Sequence, residues 1–471
     1  MAFWNRIFGW LRRGSRATQQ SGPDRAELLE RRRARQAAME AQAADADEQP
    51  VPTSADSNFP TFRSSAVERG GSRGDTGRLA KARTTLRDVF TPAQPVTERS
   101  KFAGRLGVLA RLIEILEDQR SHVVIYGERG IGKTSLVHIL ADIARESRYV
   151  VIYASCGAFS SFEDIFRAVL RDIPQLYLRD IDPTALGENQ GSVADRLTDG
   201  FDARQLGELL SQVTGTRVII ILDEYDRAES DQFRQSVAEL IKNLSDRAAR
   251  VQLVLAGVAS NLQQLIGYIP SIRRNIIGLP MPRLSSDEVR ALIRIGEKSA
   301  GVSFDEDAVQ AIESLSNGSP YLVRLVSHHS SMIALDAERM RIEIGDVWAA
   351  LDKVVDESAS RIDPRLLSAV EPFLAPQHRT VIHAAARAAS TPDGWFTAED
   401  ALSLCENVPA DRMIKELNEL TLAGVTERAA EGDGARFRFR EEPLPTYLWM
   451  RVARDNLDSD SVTPPTRSVA S

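Results

Sequence analysis

The chain has 471 residues, with 59 Lys or Arg against 66 Asp or Glu and a net charge of −7. That length leaves room for two or three domains, and the acidic balance argues against a protein that coats nucleic acid through bulk charge, leaving open a local basic patch. With only Cys156 and Cys405 present, no disulfide framework is expected, and a reducing cytoplasm is the simplest setting. No apolar run approaches the roughly 18 residues that a spanning helix needs, and the apolar residues near the start are interrupted by arginines, which argues against a secretory signal.

Residues 1–20 stand apart. Phe3, Trp4, Ile7, Phe8 and Leu11 recur at helical spacing, and Arg6, Arg12, Arg13 and Arg16 add positive charge that no acid balances. A short helix of this kind suits an anionic membrane surface or a protein partner, and would put a cytoplasmic protein at the membrane periphery. The alternative is a tail without structure of its own, since so short a helix is marginal in water. Residues 21–85 read as a disordered linker, because apolar side chains are too sparse to offset the cost of ordering the backbone.

From Leu86 the character changes. Helical spacing covers 106–116, a β-rich run covers 122–126, and a helix over 132–145 leads to a strand at 149–154. A helix follows at 162–170. Residues 217–222 carry, after Arg217, a run of Val, Ile and Leu, the pattern of a strand buried on both faces. A helix over 231–246, a strand over 252–256 and a shorter strand over 275–279 complete this region. Strands alternating with helices imply an α/β fold with a parallel sheet covered on both sides. After Pro282 the pattern is helical only. Ser285 with Glu288 makes a helix start, and helices are expected over 305–315 and 320–333. Beyond about Ile362 come three helical stretches, two short strands and a final helix.

Gly127, Glu128, Arg129, Gly130, Ile131, Gly132, Lys133 and Thr134 fit G-x-x-x-x-G-K-[ST] in full, with a strand before and a helix after. Glycines let the backbone wrap a phosphate chain with its N–H groups pointing inward, and the helix that follows adds its positive N-terminal end. Lys133 can reach the β- and γ-phosphates of ATP, and the Thr134 hydroxyl can ligate Mg²⁺. Ser135 belongs to the same helix start. A second element supports the first. The run 218–222 ends in Asp223 and Glu224, which places both carboxylates at the carboxyl edge of the sheet, where ligands bind in open α/β folds. Asp223 would hold Mg²⁺, and Glu224 would orient and polarise the attacking water.

These two motifs, with the strand at 149–154 between them, resemble the AAA+/STAND class of P-loop ATPases, and most closely the branch related to archaeal and eukaryotic origin-recognition ATPases. Phe102, Gly104 and Arg105 look like the F-x-G-R box that lines the adenine pocket. Ser260 and Asn261 sit where the family has its polar sensor of the γ-phosphate. Arg273 and Arg274 sit where an arginine finger is expected, acting on a neighbour's nucleotide. Gly318, Ser319 and Pro320 look like the lid's G-x-P motif. An origin-type second sensor would put arginine at 321, where Tyr321 stands; Arg324, one turn on, is the substitute. The resemblance implies a five-stranded sheet of order 5-1-4-3-2. It implies an ATPase core over 86–283, a helical lid over 284–360, a winged-helix domain over 361–456 and a disordered tail over 457–471. ATP and Mg²⁺ are the implied cofactors, ATP hydrolysis the implied reaction, and self-association through the ATPase domain the implied assembly.

Helices over 377–389, 397–404 and 411–422, followed by a hairpin turning at 431–434, fit a winged helix-turn-helix. Such domains often place the third helix in the DNA major groove. Here Arg412 and Lys415 are countered by Asp411, Glu416 and Glu419, which weakens that reading. The wing is more suggestive, because Arg436, Arg438 and Arg440 alternate with Phe437 and Phe439 and would share one face of a strand. They could meet DNA phosphates, or pair with Glu427, Glu431, Glu441 or Glu442. Three functional readings follow: a nucleotide-controlled switch in lid, winged helix and assembly, an origin-recognition-like DNA-binding ATPase, and a membrane-surface ATPase acting with a partner complex.

Overall fold

The computed structural model describes residues 75–179, 191–267, 272–431 and 434–461. The amphipathic segment 1–20, most of the linker and the tail beyond 461 lie outside these residues.

The first described element already departs from expectation. A helix, α1 (Asp75–Phe90), occupies the end of the stretch read as linker. Its Ala82, Leu86, Val89 and Phe90 recur at helical spacing and are buried. They enter a core built by the helices after Pro282, to which the sequence offers no local clue. Phe90 meets Phe304 edge-on at 6.2 Å. Its ring also passes so close to Gly296 that a β-carbon there would lie 2.2 Å from it.

The next elements are α2 (Leu106–Glu117), β1 (His122–Gly127), α3 (Lys133–Glu146), β2 (Val150–Ser155), α4 (Phe162–Arg171), α5 (Ala203–Leu210), β3 (Val218–Asp223), α6 (Asp231–Asp246), β4 (Val251–Val258), α7 (Leu262–Ile266) and β5 (Ile276–Pro280). The strands pair in parallel in the order β2-β3-β4-β1-β5, the expected 5-1-4-3-2 read from the other edge. Period-two alternation sorts their side chains. Val123, Ile125, Ile219, Ile221, Val254 and Ala256 face α2 and α3. Val124, Ile220, Leu222, Leu253 and Leu255 face α4, α5 and α6. Every position of β3 is buried, which explains its unbroken apolar run.

The region expected to form the lid follows: α8 (Ser286–Ala300), β6 (Ser303–Phe304), α9 (Glu306–Ser316), α10 (Pro320–Asp336), β7 (Arg341–Ile342) and α11 (Ile344–Ala359). Ser285 and Glu288 form the expected capping box. The C-terminal region comprises α12 (Pro364–Val370), α13 (Arg379–Ala388), β8 (Phe396–Thr397), α14 (Ala398–Leu402), α15 (Ala410–Leu422), β9 (Thr426–Glu431), β10 (Gly434–Phe439) and α16 (Leu444–Ser461). This order is consistent with a winged helix, and β8 joins the hairpin as a third strand, β8-β10-β9. One continuous apolar core runs from the lid into these elements, so lid and C-terminal region pack as one body.

Two of the three wing arginines are engaged within the fold, and Arg440 is exposed. Arg438 pairs with Glu427 and stands 4.8 Å above the Trp395 ring, and Arg436 stands 5.6 Å from the same ring. On α15 the buried Glu416 accepts from Arg412 at 2.8 Å and lies 3.0 Å from His378. No helix among the described residues is long and apolar enough to cross a membrane.

Candidate nucleotide-binding site

In a parallel sheet the carboxyl ends of the strands face the amino ends of the helices that follow, so β1 and β3 deliver their motifs to one edge. The loop after β1 needs its glycines for space as well as conformation. At Gly127, where φ is +152°, a β-carbon would stand 3.0 Å from the Met281 carbonyl. At Gly132, where φ is +95°, it would stand 2.8 Å from the Arg105 guanidinium. Lys133 is buried and folds back into this loop, donating to the carbonyls of Gly127 at 3.0 Å and Glu128 at 2.7 Å. Desolvation pushes its pKa down to about 8, although Asp226 and Asp223 pull the other way.

Asp223 is oriented on both oxygens: one accepts from the Tyr153 hydroxyl at 2.8 Å, the other from the Glu224 amide at 2.8 Å. Tyr153 is stacked on His138, with ring centroids 4.9 Å apart, and its phenol pKa is raised by burial and then by Asp223. Glu224 adopts a left-handed conformation, φ +52°, which costs a non-glycine residue about 1–2 kcal/mol. Its carboxylate accepts from the Ser155 hydroxyl at 3.0 Å and from Arg227 at 2.8 Å.

A cavity of about 370 Å³ opens over these groups. Arg129, Gly130, Gly132, Lys133, Thr134 and Ser135 form one wall, Asp223 and Glu224 a second, Phe102 and Arg105 a third, and Pro320 and Arg324 close it from the lid. Two cations in these walls lack full partners. Arg105, buried and left-handed at φ +59°, donates through its guanidinium to the carbonyls of Ile131 and Pro282, and its backbone N–H bonds Glu288 at 2.5 Å. Its Nε has no hydrogen-bond partner, and burial lowers its pKa to about 10. Arg324 is half-buried with an unpartnered Nε, and desolvation lowers its pKa. A buried N–H of a cation left without a partner is costly, and a polyphosphate in the cavity would offer one to both Nε groups. Thr134 and Asp223 offer the hard oxygen donors that Mg²⁺ prefers. The residues present therefore fit Mg-ATP.

Several expected residues serve the site from behind. Glu128 turns to Arg283, Ile131 is buried in the core beneath the loop, and Gly104 lies against Glu288. Others are not brought in. Asn261 caps α7, accepting from the Gln264 amide at 3.1 Å, and does not line the cavity. The neighbouring Ser260 amide bonds the Gln264 side chain, and its hydroxyl is buried without a partner. The sensor position is thus taken up by capping, a role open to any Ser or Asn at a strand end. Arg273 and Arg274 precede β5 and are exposed at the amino edge of the sheet, opposite the P-loop, so they cannot reach this chain's own nucleotide.

Sequence reasoning missed three contributors. The segment Pro92, Ala93, Gln94, Pro95 and Val96 lines the cavity, anchored by the Val96 amide donating to Ser135 Oγ at 3.0 Å. Asp226 also lines it, and accepts from the Val258 amide at 2.8 Å. Tyr153 and Ser155 hold the two carboxylates. Asp226 could have been suspected as a third acid just past the strand; nothing local marks the proline segment.

With this geometry in place, residues 101–255 match the family described as AAA ATPase domain. The chain carries a P-loop ATPase domain of that AAA type. Among solved structures it is similar to the Aeropyrum pernix Orc1 protein in complex with DNA (17% identity over 80% of this chain and 98% of that one, TM-score 0.41). It is similar to Cdc6p from Pyrobaculum aerophilum (19%, 79% and 98%, TM-score 0.43). It is also similar to the Thermotoga maritima RuvB Holliday junction branch migration motor (17%, 76% and 96%, TM-score 0.39). No curated protein sequence matches the chain.

Proposed function

We propose that the protein is an ATP-binding and ATP-hydrolysing switch of the AAA+/STAND type, in which nucleotide state sets the arrangement of lid and C-terminal region and, through it, self-association. The observation that carries this reading is the composition of the cavity, which draws its walls from the P-loop, the β3 carboxylates, the segment before α2 and the lid at once. A triphosphate there would recruit the unpartnered Arg324 of α10, so its arrival or loss changes how the lid is held. The link extends further, since Arg129 of the P-loop pairs with Glu442 at 2.6 Å, just ahead of α16.

Lys133 and the loop amides would hold the phosphates, and Thr134 and Asp223 would hold Mg²⁺, which supplies charge neutralisation on the transferred phosphoryl group. Glu224 would accept a proton from the attacking water, and the contacts of its carboxylate with Ser155 and Arg227 support that role. Arg273 or Arg274 would complete the site of a neighbouring copy, which makes hydrolysis depend on assembly. Gel filtration and limited proteolysis of wild type and Lys133→Ala, each with Mg-ATP and Mg-ADP, test the reading. Wild type should change elution and cleavage pattern between nucleotides while Lys133→Ala stays constant. Identical behaviour of wild type in both nucleotides removes the switch.

A further inference from the structure

At the amino edge of the sheet, away from the P-loop, each strand is preceded by an arginine one or two positions upstream: Arg120 before β1, Arg148 before β2, Arg217 before β3, Arg250 before β4 and Arg274 before β5. Four of them, Arg120, Arg217, Arg250 and Arg274, line a single concavity of about 360 Å³ to which no carboxylate contributes. They belong to the adjacent strands β3-β4-β1-β5, so they form a row crossing three strand spacings, about 14 Å. Asp118 and Asp246 are near in sequence but do not line the concavity. Helices α2 and α6 end at this edge, and their carbonyl ends call for some positive charge. Arg217 meets that need at one of them, donating to the Glu117 carbonyl at 3.4 Å. The others exceed it.

We infer that this row is a binding site for the phosphate backbone of a nucleic-acid duplex. About 14 Å of duplex axis carries about eight phosphates over both strands, so a row of four cations crossing the backbone meets ample negative charge. The concave shape is wrong for a flat bilayer. The lining has no Phe, Tyr or Trp, so it lacks both the aromatic anchor of a protein interface and the stacking platform that single strands use. Recognition here is independent of base sequence. It also differs from a wing contact, because Arg436 and Arg438 are already stacked on Trp395.

The test is fluorescence anisotropy of the full chain with a labelled 20-base-pair duplex at 50 to 200 mM salt. Arg120 and Arg250 are the positions to change, since the arginine-finger reading uses neither. Wild type should lose affinity about 150-fold across that range, and Arg120→Ala/Arg250→Ala only about 12-fold, as two of four phosphate contacts vanish. Arg120→Lys/Arg250→Lys should keep the steep dependence, because it keeps the charge. Thermal stabilisation by Mg-ATP, measured on each variant, confirms that it is folded. An alanine double variant with the wild-type salt dependence, wild type that fails to bind at 50 mM salt, or binding abolished by Arg440→Ala while the alanine pair leaves it intact would each overturn the inference.

Discussion

Glu128 of the P-loop and Arg283, which follows β5, form a two-pronged ion pair, with Nε to Oε1 at 3.0 Å and Nη2 to Oε2 at 2.6 Å. The same guanidinium donates to the carbonyls of Asn317 at 2.9 Å and Ser390 at 3.3 Å, in the lid and in the C-terminal region. One side chain thus ties three parts of the molecule to the phosphate loop. Arg283→Ala should cost about 2 kcal/mol, since hydrogen bonds to charged groups are the stronger kind, and Arg283→Lys should recover only part of that because an ammonium cannot form the fork. Urea denaturation of the three proteins checks both expectations.

ATP binding should weaken at alkaline pH. Desolvation pushes the Lys133 pKa down to about 8. Below that value it is already charged and binding takes up no proton at this site. Above it the neutral amine must gain a proton when phosphate arrives, so affinity falls as pH rises, by up to about tenfold per pH unit. Isothermal titration at pH 7 and pH 9, in buffers of different ionisation enthalpy, should detect proton uptake only at pH 9.

Arg324 should show opposite effects in free and bound protein. Its half-buried guanidinium has no charge partner to offset desolvation. Arg324→Met is therefore expected to stabilise the nucleotide-free protein by about 1 kcal/mol, while weakening Mg-ATP binding about tenfold through loss of a charge-assisted hydrogen bond. Melting temperature without nucleotide and calorimetric affinity with it give the two signs independently.

Glu224→Gln should retain Mg-ATP binding and lower turnover about 10²–10⁴-fold, the range for loss of a general base. Ser155→Ala should have a smaller effect of the same kind, reducing turnover but leaving affinity unchanged, because Ser155 only fixes the carboxylate at 3.0 Å. A steady-state phosphate-release assay, with affinity measured separately, distinguishes the two.

Gly318→Ala should be destabilising. Gly318 has φ +71°, and an added β-carbon would fall 2.4 Å from the Leu284 carbonyl, in the turn where the Leu284 amide bonds Gly318 at 2.8 Å. Left-handed strain alone costs about 1–2 kcal/mol, and the clash adds to it. A shift of the urea midpoint without a change of slope is the expected signature.

Local sequence was enough for the α/β core and its chemistry. The P-loop must keep its glycines at fixed positions within one short loop, and a strand buried on both faces must be apolar along its length, so both leave a contiguous record in 127–134 and 218–222. Strand order followed from the resemblance that these motifs carry. What depended on distant partners was not legible. The helical role of Asp75–Phe90 rests on Gly296 and Phe304, more than 200 residues away. The proline segment gains meaning only when the chain crosses the cavity. The sequence allows Asn261 as a sensor or a cap, and its Oδ1 accepts from the Gln264 amide; Arg436 and Arg438 could face a ligand on sequence alone, and Trp395 and Glu427 engage them. A motif states which groups are present along the chain; burial and pairing, which decide what each group is free to do, are set by residues remote in sequence.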